Sequence, residues 1–234
     1  MKDKKKIVVL TGAGISAESG IKTFRGAGGL WEGHDIMEVA SPEGWRRNPE
    51  LVLEFYNIRR KQLAEVKPNL AHTSLVRLEE KYEVKIITQN VDDLHERAGS
   101  KNVMHLHGEL TKVRSQVDPS IIIDIGYGEL KIGDFCPRDS QLRPHIVWFG
   151  EMVPLIEDAA EECMTADIFI VIGTSMVVYP AAGLISYVAG KVPKYIIDPE
   201  KPAIHNEYSN LNFMVEKGST GTKSLVEKLL SSNL

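Results

Sequence analysis

The sequence has few cysteines and no long apolar run. Its 234 residues include only two cysteines, Cys136 and Cys163, which cannot build a disulfide framework and are typical of a reducing cytoplasm. The apolar run after the basic first residues, Ile7 to Leu10, is too short for a secretion signal. The other apolar runs have the length of a buried strand, far below a membrane span. We therefore expect a cytoplasmic protein with no membrane partner.

An excess of positive charge is also missing. The 28 Lys and Arg residues face 32 Asp and Glu residues, so the formal net charge is −4. No basic field is available to hold nucleic acid, and we expect no nucleic-acid partner. The composition, 43% hydrophobic and 26% charged, is that of an ordinary globular protein. The length permits one α/β domain with a smaller inserted module, and nothing in the sequence specifies an oligomeric state.

Short apolar segments alternate with helical segments along the chain. This alternation predicts the α/β class, with a Rossmann-like, mostly parallel sheet that carries helices on both faces. The predicted strands are Ile7–Leu10, Val84–Thr88, Val103–Leu106, Asp167–Ile172 and Lys194–Ile197. Small or polar residues follow the carboxyl end of each strand, which is where open parallel sheets bind ligands.

Two long stretches interrupt the alternation and predict a second, smaller module. We assign residues 26–70 and 109–146 to this module, with a helix at Pro49–Val66. The main domain then comprises residues 1–25, 71–108 and 147–234. We expect the cleft between the two parts to be the binding site.

A glycine-rich loop follows the first predicted strand. The run Gly12-Ala13-Gly14-Ile15-Ser16-Ala17 matches G-x-G-x-x-G/A, in which glycines allow a tight turn and close approach of the backbone to a ligand. The amino terminus of a helix opened by this loop attracts a diphosphate. The acidic residue that follows the second strand in dehydrogenases is missing at its usual distance. The loop therefore predicts dinucleotide binding but disfavours an ordinary dehydrogenase.

The loop is part of a longer stretch, Thr11 to Gly26, in which the sequence resembles the sirtuins. Further family blocks follow in the family's order: Thr88-Gln89-Asn90-Val91-Asp92, His105-Leu106-His107-Gly108-Glu109, Val147-Trp148-Phe149-Gly150-Glu151 and Gly173-Thr174-Ser175. The resemblance implies NAD-dependent removal of acyl groups from the lysines of partner proteins, which yields nicotinamide and O-acyl-ADP-ribose. Thr23, where many deacetylases have Asp, places the likeness nearest to the bacterial and mitochondrial desuccinylase branch.

The resemblance assigns His107 as the general base, a task that suits a neutral imidazole near pH 7. Periodicity by itself does not separate His107 from His105, and the His-Gly-Glu context decides for His107. The resemblance assigns to NAD binding Gly12, Ala13, Gly14, Ile15, Ser16, Ala17, Glu18, Thr23, Phe24, Arg25, Gln89, Asn90, Asp92, Gly173, Thr174, Ser175, Asp198 and Thr220. Of these, Phe24 and Arg25 lie on a glycine-rich loop that the resemblance expects to close over NAD.

A helical pattern carries the predicted acyl specificity. Tyr56 and Arg59 are three positions apart and share a helix face, where a phenol and a guanidinium can bind one carboxylate. By resemblance this pair, with Ala40 widening the same pocket, favours succinyl or malonyl groups over acetyl. The neighbouring Arg60 is expected to be solvated. The segment Val147–Glu151 resembles the strand that pairs with the substrate peptide, and a buried apolar strand is the alternative.

The sequence departs from the sirtuins in its cysteines. Sirtuins usually hold a structural zinc with two Cys-x-x-Cys pairs, but the small module contains only Cys136, with Asp139 at the position of its partner. The first pair is absent around Ser115 to Asp118. One thiolate cannot build a tetrahedral site, so we expect no zinc. The apolar residues expected to hold the module together instead are Ile121, Ile122, Ile123, Ile125, Leu130, Ile132 and Phe135.

Two other functions use the same NAD-binding residues. Mono-ADP-ribosyl transfer or simple NAD hydrolysis does not need a pocket for acyl-lysine. A non-catalytic sensor of NAD or ADP-ribose does not need the base His107. Nicotinamide release measured with and without an acyl-lysine peptide separates these functions from deacylation.

Overall fold

The computed structural model describes residues 4–22, 30–174, 176, 178–200 and 208–232. Within them, the strands are β1 (Lys6–Thr11), β2 (Leu30–Trp31), β3 (His34–Asp35), β4 (Glu83–Thr88), β5 (Val103–His105), β6 (Gly108–Ser115), β7 (Ile122–Asp124), β8 (Leu142–Ile146), β9 (Ile168–Ile172), β10 (Lys194–Ile197) and β11 (Leu211–Met214). The α-helices are α1 (Ala13–Ser16), α2 (Ile36–Val39), α3 (Pro42–Arg47), α4 (Pro49–Glu65), α5 (Leu70–Leu78), α6 (Leu94–Ala98), α7 (Ile156–Met164) and α8 (Gly218–Ser231). Two 3₁₀ helices span Ala17–Ser19 and Ala181–Tyr187.

A six-stranded sheet in the order β11-β10-β9-β1-β4-β5 forms the centre, and every neighbouring pair is parallel. This arrangement confirms the predicted α/β class and mostly parallel sheet. Each of the predicted strands is present, with ends that differ by at most one residue. Strand β11 was not predicted, because it is an edge strand with the polar Asn212 inside a short apolar run.

Successive residues of β1 face opposite sides of the sheet, and both sides are covered. Ile7 and Val9 pack with α5 and α8 on one face. Val8 and Leu10 pack with α7 and the 3₁₀ helix Ala181–Tyr187 on the other. All four side chains are fully buried, and each such burial stabilises the fold by about 1.5–3 kcal/mol. This packing on both faces fixes the carboxyl end of the sheet, from which the polar loops after β1, β4 and β9 extend.

A third apolar cluster surrounds helix α4 and the antiparallel sheet β7-β6-β8. The expected apolar residues that join this cluster are Leu130, Ile121, Ile123 and Ile125. The expectation is wrong for three others, which are exposed: Ile122 by 45%, Ile132 by 51% and Phe135 by 59%. Ile122 follows Ile121 and precedes Ile123 along an extended segment, so it faces the opposite side.

Arg60 on α4 is buried, and the expectation that it is solvated is wrong. Its Nε donates to the carbonyl of Leu110 across 2.6 Å, and its Nη1 donates to Oδ1 of Asn57 and to the carbonyl of Gly128. The guanidinium therefore ties α4 to β6 and to the loop before Leu130. Arg60 does point away from Tyr56 and the cavity, but it points toward β6 and not toward solvent.

The boundaries between the two predicted parts stay a prediction. Leu94 and Trp148, from segments assigned to the main domain, pack into the third cluster. None of the helices in the described residues combines the length and apolar composition needed to cross a membrane.

Candidate active site

The chain makes two tight turns at the carboxyl end of the sheet, after β1 and after β9. Gly14 donates its backbone N–H to the carbonyl of Gly173 across 2.8 Å, so the two turns touch backbone to backbone. A Cβ added to Gly14 would lie 2.6 Å from the Cα of Gly173, and Gly173 has a left-handed φ of +61°. Only glycine fits these positions. The helix that follows the loop is a single turn, Ala13–Ser16, which continues as the 3₁₀ helix Ala17–Ser19.

Three polar side chains are buried beside this loop and bonded to one another. The Ser16 hydroxyl donates to Oδ2 of Asp92 across 2.9 Å, and the Asn90 amide donates to the Ser16 oxygen across 3.1 Å. Asp92 also accepts the backbone N–H of Leu94. Burial raises the pKa of Asp92 to about 6, although the bonds from Leu94 and Ser16 act in the opposite direction. Three of the residues assigned to NAD binding, Ser16, Asn90 and Asp92, therefore form one connected group.

His107 lies after the end of β5, with its ring held by one hydrogen bond. Its Nδ1 lies 3.0 Å from the carbonyl oxygen of Gln89, which can only accept, so Nδ1 carries the proton and Nε2 keeps its lone pair. The Gln89 amide in turn donates to the Thr174 hydroxyl across 3.2 Å. Burial lowers the pKa of His107, partly offset by the bond to Gln89. The imidazole is thus neutral at pH 7, and its Nε2 carries a basic lone pair.

His105, the alternative candidate, has both ring nitrogens engaged. Nδ1 contacts the carbonyl of Asn90 at 3.1 Å, and Nε2 contacts Oε1 of Glu96 at 2.8 Å. Burial lowers the pKa of His105, but the bond to Glu96 and the charges of Glu96 and Glu109 outweigh it and raise the pKa overall. His105 lines a different cavity from His107. This geometry favours His107 as the base.

A cavity of about 290 Å³ lies between the sheet and helix α4. The predicted site residues that line it from the sheet side are Ala13, Gln89, Asn90, Asp92 and His107. Those that line it from the other side are Ala40, Tyr56, Arg59, Val147, Trp148, Phe149, Gly150 and Glu151. The cavity therefore joins the residues assigned to catalysis, to NAD and to the acyl group.

Arg59 is fixed at the cavity wall by its own helix. Its Nη1 donates to the carbonyl of Phe55 across 2.7 Å, and its guanidinium stacks on the Phe55 ring at 3.3 Å. Its Nε is buried and has no hydrogen-bond partner among the described residues. Burial lowers the pKa of Arg59 to about 10, so the side chain stays charged at pH 7. Arg59 therefore places a positive charge at the wall of the cavity.

The segment Val147–Glu151 is not a regular strand, which corrects that part of the expectation, and its pairing with a substrate peptide stays a prediction. Strand β8 ends at Ile146, and the segment forms a turn behind it. Trp148 points inward, whereas the Phe149 side chain is 43% exposed at the cavity mouth. The Glu151 carboxylate is bound by Arg143 at 2.7 Å and by Arg114 at 3.2 Å, so it holds the turn in place.

Glu18, Asp198 and Thr220 are not among the residues that line this cavity. Glu18 accepts the backbone N–H and the hydroxyl of Ser219 at the start of α8, across 2.9 and 2.8 Å. Thr220 donates to the carbonyl of Lys217, and Asp198 accepts the N–H of Glu200 after β10. Four assigned residues lie outside the described part of the chain: Thr23, Phe24, Arg25 and Ser175.

Sequence profiles and known relatives agree on the family of this chain. The Sir2 family matches residues 12–180. The chain belongs to the Sir2 family. The NAD-dependent protein deacylase of Helicobacter pylori (strain ATCC 700392 / 26695) is 54% identical over 226 residues, 97% of this chain and 98% of that protein. The NAD-dependent protein deacylase of Bacteroides thetaiotaomicron is 52% identical over 231 residues, again 97% and 98%.

Solved Sir2 structures share the whole fold. A mutant Sir2 homologue in complex with ADP ribose superimposes with a TM-score of 0.86 at 40% identity, over 99% of this chain and 95% of that one. A Sir2 homologue in complex with NAD superimposes with a TM-score of 0.85 at 39% identity, over 97% and 90%. These findings confirm the resemblance to the sirtuins.

The residues at the usual zinc position of the Sir2 family do not fit a structural zinc. The Cys136 thiol donates to the Ser115 hydroxyl across 3.3 Å, and Asp118 pairs with Arg138 at 3.1 Å. Asp139 sits in a left-handed turn with φ of +52°. Among the described residues, no group of three or more His, Cys, Asp or Glu side chains is arranged to hold a metal. The absence of zinc stays a prediction.

Two residues next to this site, Asn69 and Glu32, were not predicted from the sequence. Asn69 donates to the carbonyl of Ile15 across 2.7 Å and to Ser19 across 3.0 Å. It thereby holds the glycine-rich loop Gly12–Ala17, called the phosphate loop below, in place. Ile15 itself is fully buried in the core, and its N–H donates to the carbonyl of Gly12. Glu32 lines the cavity near Arg59. Asn69 has the signal of a helix N-cap, whereas Glu32 has only a Glu-Gly turn signal.

Proposed function

We propose that this protein is an NAD-dependent protein-lysine deacylase that removes succinyl or malonyl groups in preference to acetyl. The observation that carries the proposal is the single cavity lined by His107, Tyr56 and Arg59. A base and an anion-binding pair in one enclosed space suit an acyl chain that ends in a carboxylate. The named relatives act as NAD-dependent protein deacylases, which supports the reaction class.

The residues around the phosphate loop fit NAD. Gly12 and Gly14 pack against the backbone of Gly173 with no room for side chains, and the loop that they form opens helix α1, whose amino terminus suits a diphosphate. The buried Ser16, Asn90 and Asp92 offer hydroxyl, amide and carboxylate groups to a polar ring substituent. When bound, NAD would supply the ribose that receives the acyl group and would lose nicotinamide, and one water is consumed in the release of free lysine and O-acyl-ADP-ribose.

His107 serves as the proton acceptor in this cavity. Its Nδ1–H donates to Gln89, so the ring is fixed in the tautomer whose Nε2 can take a proton. The lowered pKa keeps the ring neutral through the neutral pH range. His105 is unsuited to the task because Glu96 occupies its Nε2 and favours its charged form.

Tyr56 and Arg59 select the acyl group. The guanidinium of Arg59 has donors that its own helix leaves unused, and the Tyr56 phenol adds a further donor. Ala40 keeps the same wall of the cavity clear, because its side chain is a single methyl group. An acetyl group offers nothing to these donors, whereas a succinyl or malonyl carboxylate satisfies them.

A panel of peptides with succinyl-, malonyl- and acetyl-lysine, incubated with NAD, tests the proposal. We expect nicotinamide release that depends on the acyl peptide, with higher kcat/KM for the two acidic groups. Release that is independent of acyl-lysine would instead indicate ADP-ribosyl transfer or NAD hydrolysis. No release in the presence of bound NAD would indicate a sensor. We also propose a cytoplasmic location, which the two free cysteines support.

A further inference from the structure

Arg59, the residue proposed to bind the acyl carboxylate, shares its cavity with an anion of the protein itself. Lys22, Glu32 and Arg59 all line this cavity. The Lys22 Nζ lies 2.9 Å from Oε2 of Glu32, and the Glu32 side chain is only 21% exposed, against 75% for Lys22. Arg59 and Lys22 therefore bring two cations, and Glu32 a carboxylate, to the wall of this cavity, whereas the carboxylate of Glu151, which also lines it, is paired with Arg143 and Arg114.

The backbone at Glu32 adopts a conformation that glutamate rarely takes. Glu32 and Gly33 join the antiparallel strands β2 and β3, with φ of +51° and +87°. Positive φ at both residues defines a type I′ turn, which favours Asn-Gly rather than Glu-Gly. Non-glycine residues in the left-handed region cluster at functional sites. The turn points to a role for the Glu32 side chain that outweighs the backbone strain.

The hairpin that carries Glu32 is clamped to the helix that carries Arg59. The Trp31 ring packs on the edge of Phe55 with centroids 5.0 Å apart, and the His34 ring packs there at 5.6 Å. Trp31 also contacts the Arg59 guanidinium at 5.5 Å. Phe55 lies one helical turn before Arg59. Glu32 therefore occupies a defined position relative to the guanidinium, and its charge raises the pKa of Arg59 against the larger effect of burial.

We propose that Glu32 is an internal counter-ion for Arg59, which competes with the carboxylate of an acidic acyl group and so sets the selectivity between acidic and neutral acyl-lysines. The inference rests on the proposed deacylase function. With a neutral acyl group, Glu32 balances the buried charge of Arg59. With an acidic acyl group, two carboxylates share the cavity, and their repulsion lowers the affinity for that substrate.

Lys22 has the complementary role in this arrangement. By holding the Glu32 carboxylate at 2.9 Å, Lys22 offsets part of its charge and leaves Arg59 to the acyl carboxylate. Loss of Glu32 and loss of Lys22 should therefore change acyl selectivity in opposite directions. A purely structural role of the hairpin does not produce opposite effects.

The test compares Glu32→Gln and Lys22→Met with the wild type on matched succinyl- and acetyl-lysine peptides. In Glu32→Gln, the succinyl-to-acetyl ratio of kcat/KM should rise roughly five- to tenfold, through a lower KM for the succinyl peptide. In Lys22→Met the ratio should fall several-fold. Glu38→Gln is the control, because it removes the same charge from an exposed position on α2 and should leave the ratio unchanged.

Calorimetric titration of the same peptides provides a readout without turnover. Tighter succinyl-peptide binding by Glu32→Gln than by the wild type supports the proposal. An unchanged or lower selectivity ratio in Glu32→Gln, with the wild type active on acyl peptides, overturns the role of Glu32 and leaves the deacylase function intact. A wild type that neither binds nor turns over any acyl peptide overturns the deacylase function, and the role of Glu32 with it.

Discussion

The indole N–H of Trp148 donates a hydrogen bond of 3.0 Å to the phenol oxygen of Tyr56. Both side chains are buried, and the bond joins helix α4 to the turn that follows β8. The indole can only donate, so the phenol oxygen accepts and its own O–H proton is free to point into the cavity. Burial raises the pKa of Tyr56 above its ordinary value, which keeps this proton in place at every physiological pH.

The Tyr56 phenol and the Arg59 guanidinium are the two donors proposed to bind the acyl carboxylate. We therefore expect Arg59→Met to lower the rate of desuccinylation. A hydrogen bond to a charged group contributes roughly 1.5–3 kcal/mol, so kcat/KM for a succinyl peptide should fall about 10- to 100-fold. Methionine keeps much of the apolar stem. The measurement is kcat/KM on paired succinyl- and acetyl-lysine peptides, with Lys61→Met as control because Lys61 is exposed on the same helix.

Equal losses on both peptides would contradict this prediction. They would mean that Arg59 supports the fold through its bond to Phe55 and does not bind the acyl group.

Arg60→Met should destabilise the protein, although Arg60 is adjacent to Arg59. The substitution leaves the buried carbonyl of Leu110 without its donor, whereas Gly128 is exposed and water can replace the guanidinium at its carbonyl. A buried polar group left unsatisfied costs about 1–3 kcal/mol, so we expect the free energy of unfolding to fall by about that amount. Urea denaturation measures this loss. A variant as stable as the wild type would show that water replaces the guanidinium.

His107→Ala should abolish deacylation while the binding of NAD survives. The loss of a general base typically lowers the rate about 100- to 10,000-fold, and the phosphate loop does not depend on the imidazole. Single-turnover assays give the rate, and the thermal shift caused by ADP-ribose reports binding. Near-normal turnover in the purified variant would assign the proton transfer to another group.

Prolonged treatment with a chelator should leave fold and activity unchanged. Cys136 is bonded to Ser115, and Asp118 is engaged with Arg138, so neither is presented to a metal. Elemental analysis of the purified protein should find less than stoichiometric zinc. One zinc per chain, together with loss of the fold after chelation, would require ligands at other positions.

The stability of the protein should fall on acidification because of His72. Its ring is fully buried, and burial lowers its pKa to about 4. The folded protein binds the proton less readily than the unfolded chain. The contribution of His72 to the free energy of unfolding is therefore highest above its ordinary pKa near 6.5 and is lost as the pH falls through about 4. Between pH 7.5 and 5 the loss from His72 is about 2 kcal/mol. His72→Gln should lose correspondingly less over the same range in urea denaturation.

The buried His95 beside it has a pKa shifted in the same direction, with burial as the main cause. The two rings pack edge to face with centroids 5.0 Å apart, so the first protonation opposes the second. Identical pH dependence in the wild type and in His72→Gln would assign the acid sensitivity to other groups.

Much of the site at the carboxyl end of the sheet was predictable from the sequence alone. Gly12 and Gly14 follow an apolar strand, and Gly173 follows another, so both turns must lie at the carboxyl end of a parallel sheet. The spacing of Tyr56 and Arg59 also predicted that both lie on the same side of the cavity, because positions three apart share one face of a helix. These features depend on residues close in sequence.

Contacts between residues distant in sequence could not be derived in this way. The same helical spacing left Arg60 open to solvent or to the protein, and only the packing of β6 and the Gly128 loop against α4 buries it. Alternation puts Ile122 on the face opposite Ile121 and Ile123, but only the packing of the third cluster decides which of the two faces is buried.

The sequence by itself determined the parallel sheet, the glycine turns and the helical pairing of Tyr56 with Arg59, because each follows from local backbone preference or a short apolar period. Only the tertiary structure decided which of two nearby histidines is available as a base. His105 meets Glu96 and His107 meets the carbonyl of Gln89, partners supplied by separate segments of the chain. The protonation state of a side chain depends on its three-dimensional neighbours, so no pattern along the sequence specifies it.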